Sequence, residues 1–160
     1  MGKNYKIIII DSGFGNTRAV RNMLFSIGLD STITIDKTII KGADYIILPG
    51  VGSFDAAMTS IKPLVELIRE VALVKKTPIL GICLGMQLLG SSSEEGKDEG
   101  INLIEGKNIK LSSSPNYKVP HLNWEYLIYK DEESFFSPYE TKPKFYFAHS
   151  YHFVPKDKST

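Results

Sequence analysis

Three short stretches of this chain are apolar at nearly every position: Ile7-Ile8-Ile9-Ile10, Tyr45-Ile46-Ile47-Leu48 and Ile79-Leu80-Gly81-Ile82. A strand with one face in water alternates apolar and polar residues, so runs without alternation belong to strands covered on both faces. Helical patterns separate them. Residues 17–27 carry Val20, Met23, Leu24 and Ile27 at spacings of three and four, with Asn16 as a cap and Gly28 as a stop. A short strand is expected over 32–35. Pro63 opens a further helix bearing Leu64, Leu67, Ile68 and Val71, with Lys75 and Lys76 suited to its C-terminal end. Residues 84–89 begin another. Strands alternating with helices predict an α/β fold: a doubly wound, mostly parallel open sheet with helices on both faces.

From Ser91 the sequence turns polar and glycine-rich. Short strands are expected over 108–111, 126–129, 145–148 and 151–154, adding antiparallel strands in the C-terminal half. At 160 residues the chain has the size of one domain, and residues 1–160 are read as a single one.

Nineteen Lys and Arg against eighteen Asp and Glu leave a net charge of +1, too little to grip nucleic acid or an anionic membrane. No apolar run is long enough to span a bilayer, and the N-terminus lacks the features of a signal peptide, so a cytoplasmic location is expected. The chain has one cysteine, which excludes an internal disulfide and a multi-cysteine metal site. No metal or cofactor is expected. If Cys83 carries chemistry, it does so as a thiol.

Gly81-Ile82-Cys83-Leu84-Gly85 places that cysteine between two glycines where a buried strand meets a helix. This is the form of a nucleophile elbow, a sharp turn that holds the reactive side chain out above the sheet. Backbone N–H groups at the helix start stabilise a thiolate there, and that of Leu84 can hold an oxyanion. A competing reading makes Cys83 a buried core residue, since free cysteine is often buried. Its position at the carboxyl end of a central strand, where open α/β sheets build their sites, favours the elbow.

Gly81-Ile-Cys-Leu-Gly-Met-Gln-Leu-Leu89 resembles the nucleophile motif of class I glutamine amidotransferases of the triad type, and Pro49-Gly50-Val51-Gly52 resembles their oxyanion strand. Within that family the chain is most similar to the amidotransferase subunits of imidazole glycerol phosphate synthase. Asp11-Ser-Gly-Phe-Gly-Asn16, Gly50-Val-Gly-Ser-Phe54, Val119-Pro-His-Leu-Asn-Trp124 and Phe145-Tyr-Phe-Ala-His-Ser-Tyr151 carry that similarity over essentially the whole length. The resemblance implies a flavodoxin/Rossmann-like sheet and a glutaminase whose ammonia passes to a (β/α)8 barrel cyclase or synthase subunit in a heterodimer. It implies Cys83 as nucleophile, with oxyanion contacts from the backbone of Val51, Gly52 and Leu84. Glutamine would be held by Gly50, Gly52, Gln87, Glu95 and the strand of His149, Ser150 and Tyr151. His121, Trp124 and Tyr146 would face the partner.

A cysteine nucleophile of this type needs a histidine to carry protons and a carboxylate to orient it. The family supplies both in a His-Pro-Glu motif, which occurs nowhere in these 160 residues. His121, His149 and His152 match no such role, and truncation ahead of that segment is the expectation. Ser12 stands where the family carries tyrosine, and Asn123 and Glu125 where it carries glycine and asparagine. These departures are expected on the partner-facing surface. They leave open a related subunit serving surface-sugar amidine synthesis, and the absence of His-Pro-Glu leaves open a catalytically dead partner of the same fold. A dinucleotide-binding module, suggested by Gly13-x-Gly15, lacks its third glycine because position 18 is Arg18.

Overall fold

The computed structural model of the protein describes residues 5–115, 117–128 and 142–157. They fall into two units, Met1–Ile109 with Phe153–Thr160, and Lys110–His152.

The first unit is built on four parallel strands in the order β2-β1-β3-β4: β1 Ile7–Ile10, β2 Ser31–Thr34, β3 Tyr45–Gly50 and β4 Ile79–Cys83. The chain steps from β1 to β2 through helix α1 (Thr17–Ser26), then returns through α2 (Lys37–Lys41) to β3 on the other side of β1. The two helices lie on opposite faces: Leu24 of α1 packs with Ile7, Ile9 and Ile47, whereas Ile40 of α2 packs with Ile8, Ile10 and Ile46. All four isoleucines of β1 are buried, as a run without polar alternation requires. The direction of winding reverses between β1 and β3, the switch point at which such sheets leave a crevice beyond the carboxyl ends of the strands.

Helix α1 begins as its sequence indicates, with the Asn16 side chain accepting from the Ala19 N–H at 3.1 Å. It ends in a Schellman motif: Leu29 N donates to Leu24 O, Gly28 N to Phe25 O, and Gly28 sits at φ 79°. Met23 and Ile27, expected on its inner face, are exposed, and Leu24 alone of that set is fully buried. Two helices have no counterpart in the sequence reading. One is α2, capped by the Asp36 carboxylate. The other is α3 (Phe54–Ile61), which buries Phe54, Ala57, Met58 and Ile61. The helix opened by Pro63 is irregular: a 3-10 turn at Lys62–Leu64, α4 at Val65–Arg69, and a π-helical end at Glu70–Val74. Helix α5 (Leu84–Leu88) follows β4 directly. A small sheet is formed by β5 (Ser92–Ser93), β6 (Gly106–Lys110) and β9 (Tyr151–Pro155), whose residues fall in the first unit except Lys110, Tyr151 and His152.

The second unit holds an antiparallel ribbon of β7 (His121–Tyr126) and β8 (Lys144–His149), paired from His121 opposite His149 to Tyr126 opposite Lys144. The strand expected over 126–129 therefore begins at His121, and Tyr129 lies outside the described residues. The C-terminal half is β-rich, as expected, with antiparallel strands added to a mostly parallel core.

Candidate active site

Cys83 is the last residue of β4 and the N-cap of α5, with φ 54° and ψ −118°. For a residue with a Cβ this is a strained conformation, tolerated where the surroundings enforce it and concentrated at functional sites. The thiol is exposed. The alternative of a core cysteine is thereby excluded. The flanking glycines explain how the turn closes: a Cβ on Gly85 would strike the carbonyl oxygen of Leu48, and one on Gly81 the backbone of Met86. With bare Cα atoms at both positions, α5 lies directly against β3 and β4. Leu84, whose N–H starts the helix, is buried at 3% exposure and anchors that contact.

Gly50 ends β3 in register with Cys83, which sets the expected oxyanion segment beside the nucleophile. Gly52 has φ 100°, the left-handed region that glycine enters readily. Val51 departs from expectation: its N–H donates to the carbonyl oxygen of Phe14 at 2.7 Å. That bond joins the loops leaving β1 and β3 across the switch point, and it occupies the donor that an oxyanion needs. In the same loop Ser12 is 4% exposed, its Oγ accepting from the Phe14 N–H at 3.3 Å. Ser12 therefore turns inward and does not lie on the outer surface where it was expected.

Glu95 does not project freely into solvent as loop residues often do. Its Oε2 accepts from the Phe54 N–H at 3.1 Å, filling a donor at the start of α3 where Ser53, the N-cap, makes no side-chain hydrogen bond. The carboxylate thus reaches the segment directly after Gly50-Val51-Gly52. Gln87 is 7% exposed, set inward on α5. Its carbonyl accepts from Asn108 Nδ2 at 2.9 Å, and the same amide donates to Ser92 O at 3.0 Å. Asn108 is wholly buried and ties the end of α5 to β5 and β6.

Asp55, one residue into α3 from Phe54, makes the reciprocal contact. Both of its carboxylate oxygens accept from the Lys97 N–H at 3.0 Å, and Oδ1 also accepts from the Asp98 N–H at 3.0 Å. The hydrogen bonds from Lys97 and Asp98 hold its carboxyl below the ordinary 3.8, assisted by the Lys97 charge and opposed by partial burial.

In the second unit, His149 Nδ1 lies 2.8 Å from the Tyr151 carbonyl oxygen, and Leu111 N donates to Ser150 O at 2.8 Å. His121 stacks on Phe147 with ring centroids 5.4 Å apart. Trp124 and Tyr146, 5.6 Å apart, are exposed on one face of the ribbon together with Leu122 and Tyr126. All three histidines of the chain belong to this unit, and the unit that carries Cys83 contains none. Among the described residues no cluster of His, Cys, Asp and Glu could hold a metal ion, and no helix is long and apolar enough to cross a membrane.

Reasoning from sequence missed Phe14, Asp55 and Asn108. Asp55 carried a weak signal, an acidic residue in the first turn of a helix. The other two act through contacts between segments far apart in the chain, which no local pattern encodes.

The family model of glutamine amidotransferase class-I matches residues 3–160. The imidazole glycerol phosphate synthase subunit HisH 2 of Methanococcus maripaludis is 42% identical over 154 residues, covering 95% of this chain and 76% of its own length. The protein of the same name from Pseudomonas aeruginosa is 38% identical over 153 residues, covering 94% of this chain and 76% of its own. A crystal structure of a glutamine amidotransferase superposes with a TM-score of 0.71 at 13% identity, covering 94% of this chain and 75% of that one, and so shares the fold. On the match of the family model over nearly every residue and on these relatives, the chain belongs to the class I glutamine amidotransferases.

Proposed function

We propose that the protein is the glutaminase subunit of imidazole glycerol phosphate synthase, acting in the cytoplasm in a heterodimer with a (β/α)8 barrel synthase subunit. The observation that carries this reading is the exposed Cys83 at φ 54° on the β4–α5 turn, in register with Gly50. The Cys83 thiolate adds to the amide carbonyl carbon of glutamine. The C–N bond breaks, the nitrogen leaves as ammonia after gaining a proton, and water hydrolyses the thioester to glutamate and free thiol. The Leu84 N–H holds the oxyanion, joined by that of Val51 once it releases the Phe14 carbonyl, and Gln87 and Glu95 help seat the substrate. Trp124 and Tyr146 belong to the surface that meets the synthase, whereas His121, on the other face of the ribbon against Phe147, does not share it.

The proton-transfer pair is proposed to lie in a His-Pro-Glu motif, which these 160 residues do not contain; the chain covers about three-quarters of its relatives' length. Residues 1–160 alone are then expected to release negligible ammonia from glutamine. A form extended through His-Pro-Glu, combined with the synthase subunit, is expected to release it in a Cys83-dependent way. Normal turnover by residues 1–160 that is lost in Cys83→Ala would overturn the assignment of the base.

A second reading, ammonia supply to a surface-sugar amidine synthase, is favoured by the substituted positions on β7. Asn123 Nδ2 donates to Glu125 Oε1 at 2.8 Å, so two residues that depart from the histidine-pathway pattern act together on one face of the ribbon. Ammonia-dependent product formation with each type of synthase distinguishes the two.

A further inference from the structure

Two carboxylates cross between the start of α3 and the 93–98 loop. Glu95 reaches from the loop to the Phe54 N–H, and Asp55 reaches from the helix to the Lys97 and Asp98 N–H groups. Ser93 Oγ accepts from the Glu95 N–H at 3.2 Å, closing the loop from its other end. Gly96 is fitted to this clasp, since a Cβ there would collide with the Asp55 carboxylate. The residue that begins the clasp, Phe54, follows Gly50-Val51-Gly52 after only one intervening residue.

We propose that Asp55 is a positioning residue for glutamine binding: by holding the backbone of 96–98 against α3, it keeps the Glu95 carboxylate beside the oxyanion segment. This rests on the reading of Glu95 as a glutamine-holding residue. Glu95 sits on a loop, and a loop side chain is placed only as well as its backbone is fixed. The Lys97 N–H, shared between both Asp55 carboxylate oxygens, and the Asp98 N–H donate charge-assisted hydrogen bonds that fix that backbone, and the hydrogen bond from the Phe54 N–H to Glu95 marks where the Glu95 carboxylate comes to rest. Glutamine would then compete with the Phe54 N–H for Glu95, and Asp55 would keep the loop in place while that exchange occurs.

The test is the kinetics of Cys83 alkylation by the chloromethyl ketone analogue of glutamine, in which an Sγ–C bond forms, the C–Cl bond breaks and chloride leaves. Saturation yields a half-saturating concentration and a limiting rate. Iodoacetamide, which has no glutamine shape, reports thiol access alone, and the single cysteine makes both readings unambiguous. Asp55→Ala and Gly96→Ala, which break the clasp from opposite sides, are expected to raise the half-saturating concentration about tenfold each. The limiting rate and the iodoacetamide rate should stay within about twofold of the parent, Asp55→Asn should recover part of the loss, and neither change should add to Glu95→Ala. If Glu95→Ala raises the half-saturating concentration but Asp55→Ala and Gly96→Ala do not, the inference about Asp55 is wrong and the glutamine-site reading survives. If Glu95→Ala itself changes nothing, both fail. A fall in the iodoacetamide rate matching the loss of analogue binding makes Asp55 a residue of the general fold and also overturns the proposal.

Discussion

The N–H of Val51 donates to the carbonyl oxygen of Phe14 at 2.7 Å, and this bond spans the switch point of the sheet one residue from the Gly50–Cys83 pair. A backbone donor cannot serve a carbonyl on the far side and an oxyanion at Cys83 at once. If Val51 contributes to the oxyanion hole, the Gly50–Val51 peptide must rotate and release Phe14, a movement that the neighbouring Gly50 and Gly52 permit.

Val51→Pro has no N–H to give in either arrangement. In the complex with its synthase and a complete proton-transfer pair, it should lose roughly 10²- to 10³-fold in glutamine hydrolysis, the usual cost of one oxyanion donor. Val51→Ala keeps the N–H and should stay near the parent rate. Equal rates for the two variants, with unchanged circular dichroism, would remove Val51 from the mechanism.

Gly85 is predicted to be intolerant for reasons of packing alone. Its added methyl would meet the Leu48 carbonyl, a backbone atom that cannot move without disturbing β3. Gly85→Ala should destabilise the protein by about 2–3 kcal/mol, as overpacking of a close backbone contact does, read from the shift of the urea midpoint. Gly28, with nothing near the position of a Cβ, should be governed only by its positive φ. Gly28→Asn, which tolerates that region, should therefore cost less than Gly85→Ala.

The acid side of the Asp55 clasp has a defined direction. Its carboxyl is held below 3.8 in the folded chain, so the folded state favours the ionised form. The resulting stabilisation is present above the unfolded value and is lost as pH falls through the lower folded value. The amide resonances of Lys97 and Asp98 should move together on acidification with a midpoint below 3.8, and Asp55→Asn should abolish that step. A midpoint at or above 3.8 would contradict the clasp.

Much of the fold was legible because its core strands carry the simplest pattern available. The unbroken isoleucines of β1 and the apolar run of β3 could only be strands covered on both sides, and the structure buries them as such. Asn16 and Gly28 marked both ends of α1 through local chemistry. Helix α3 keeps helical spacing at Phe54, Ala57, Met58 and Ile61, but it spans only eight residues and starts directly after a glycine-rich turn, which leaves its pattern weak. Leu122, Trp124 and Tyr126 alternate with Asn123 and Glu125, a strand pattern that could have located β7.

The site was legible where one short segment supplies it. Gly81 to Gly85 encodes its own turn, since the strain at Cys83 and the bare Cα atoms beside it are properties of neighbouring residues. The state of the Val51 N–H was not legible, because it depends on Phe14, 37 positions earlier in the chain. The link between Glu95 and Phe54, 41 residues apart, is of the same kind. Long-range hydrogen bonds to backbone atoms leave no mark on residue identity at the accepting carbonyl or the donating N–H.

The central claim, that Cys83 is a nucleophile within a glutamine-shaped site, is tested most directly by intact-mass spectrometry after exposure to the chloromethyl ketone analogue of glutamine. The account predicts one adduct per chain, mapped to Cys83, absent in Cys83→Ala and suppressed by excess glutamine. Labelling by iodoacetamide but not by the analogue, or analogue labelling that glutamine fails to suppress, would contradict it, leaving Cys83 an exposed thiol with no substrate site around it.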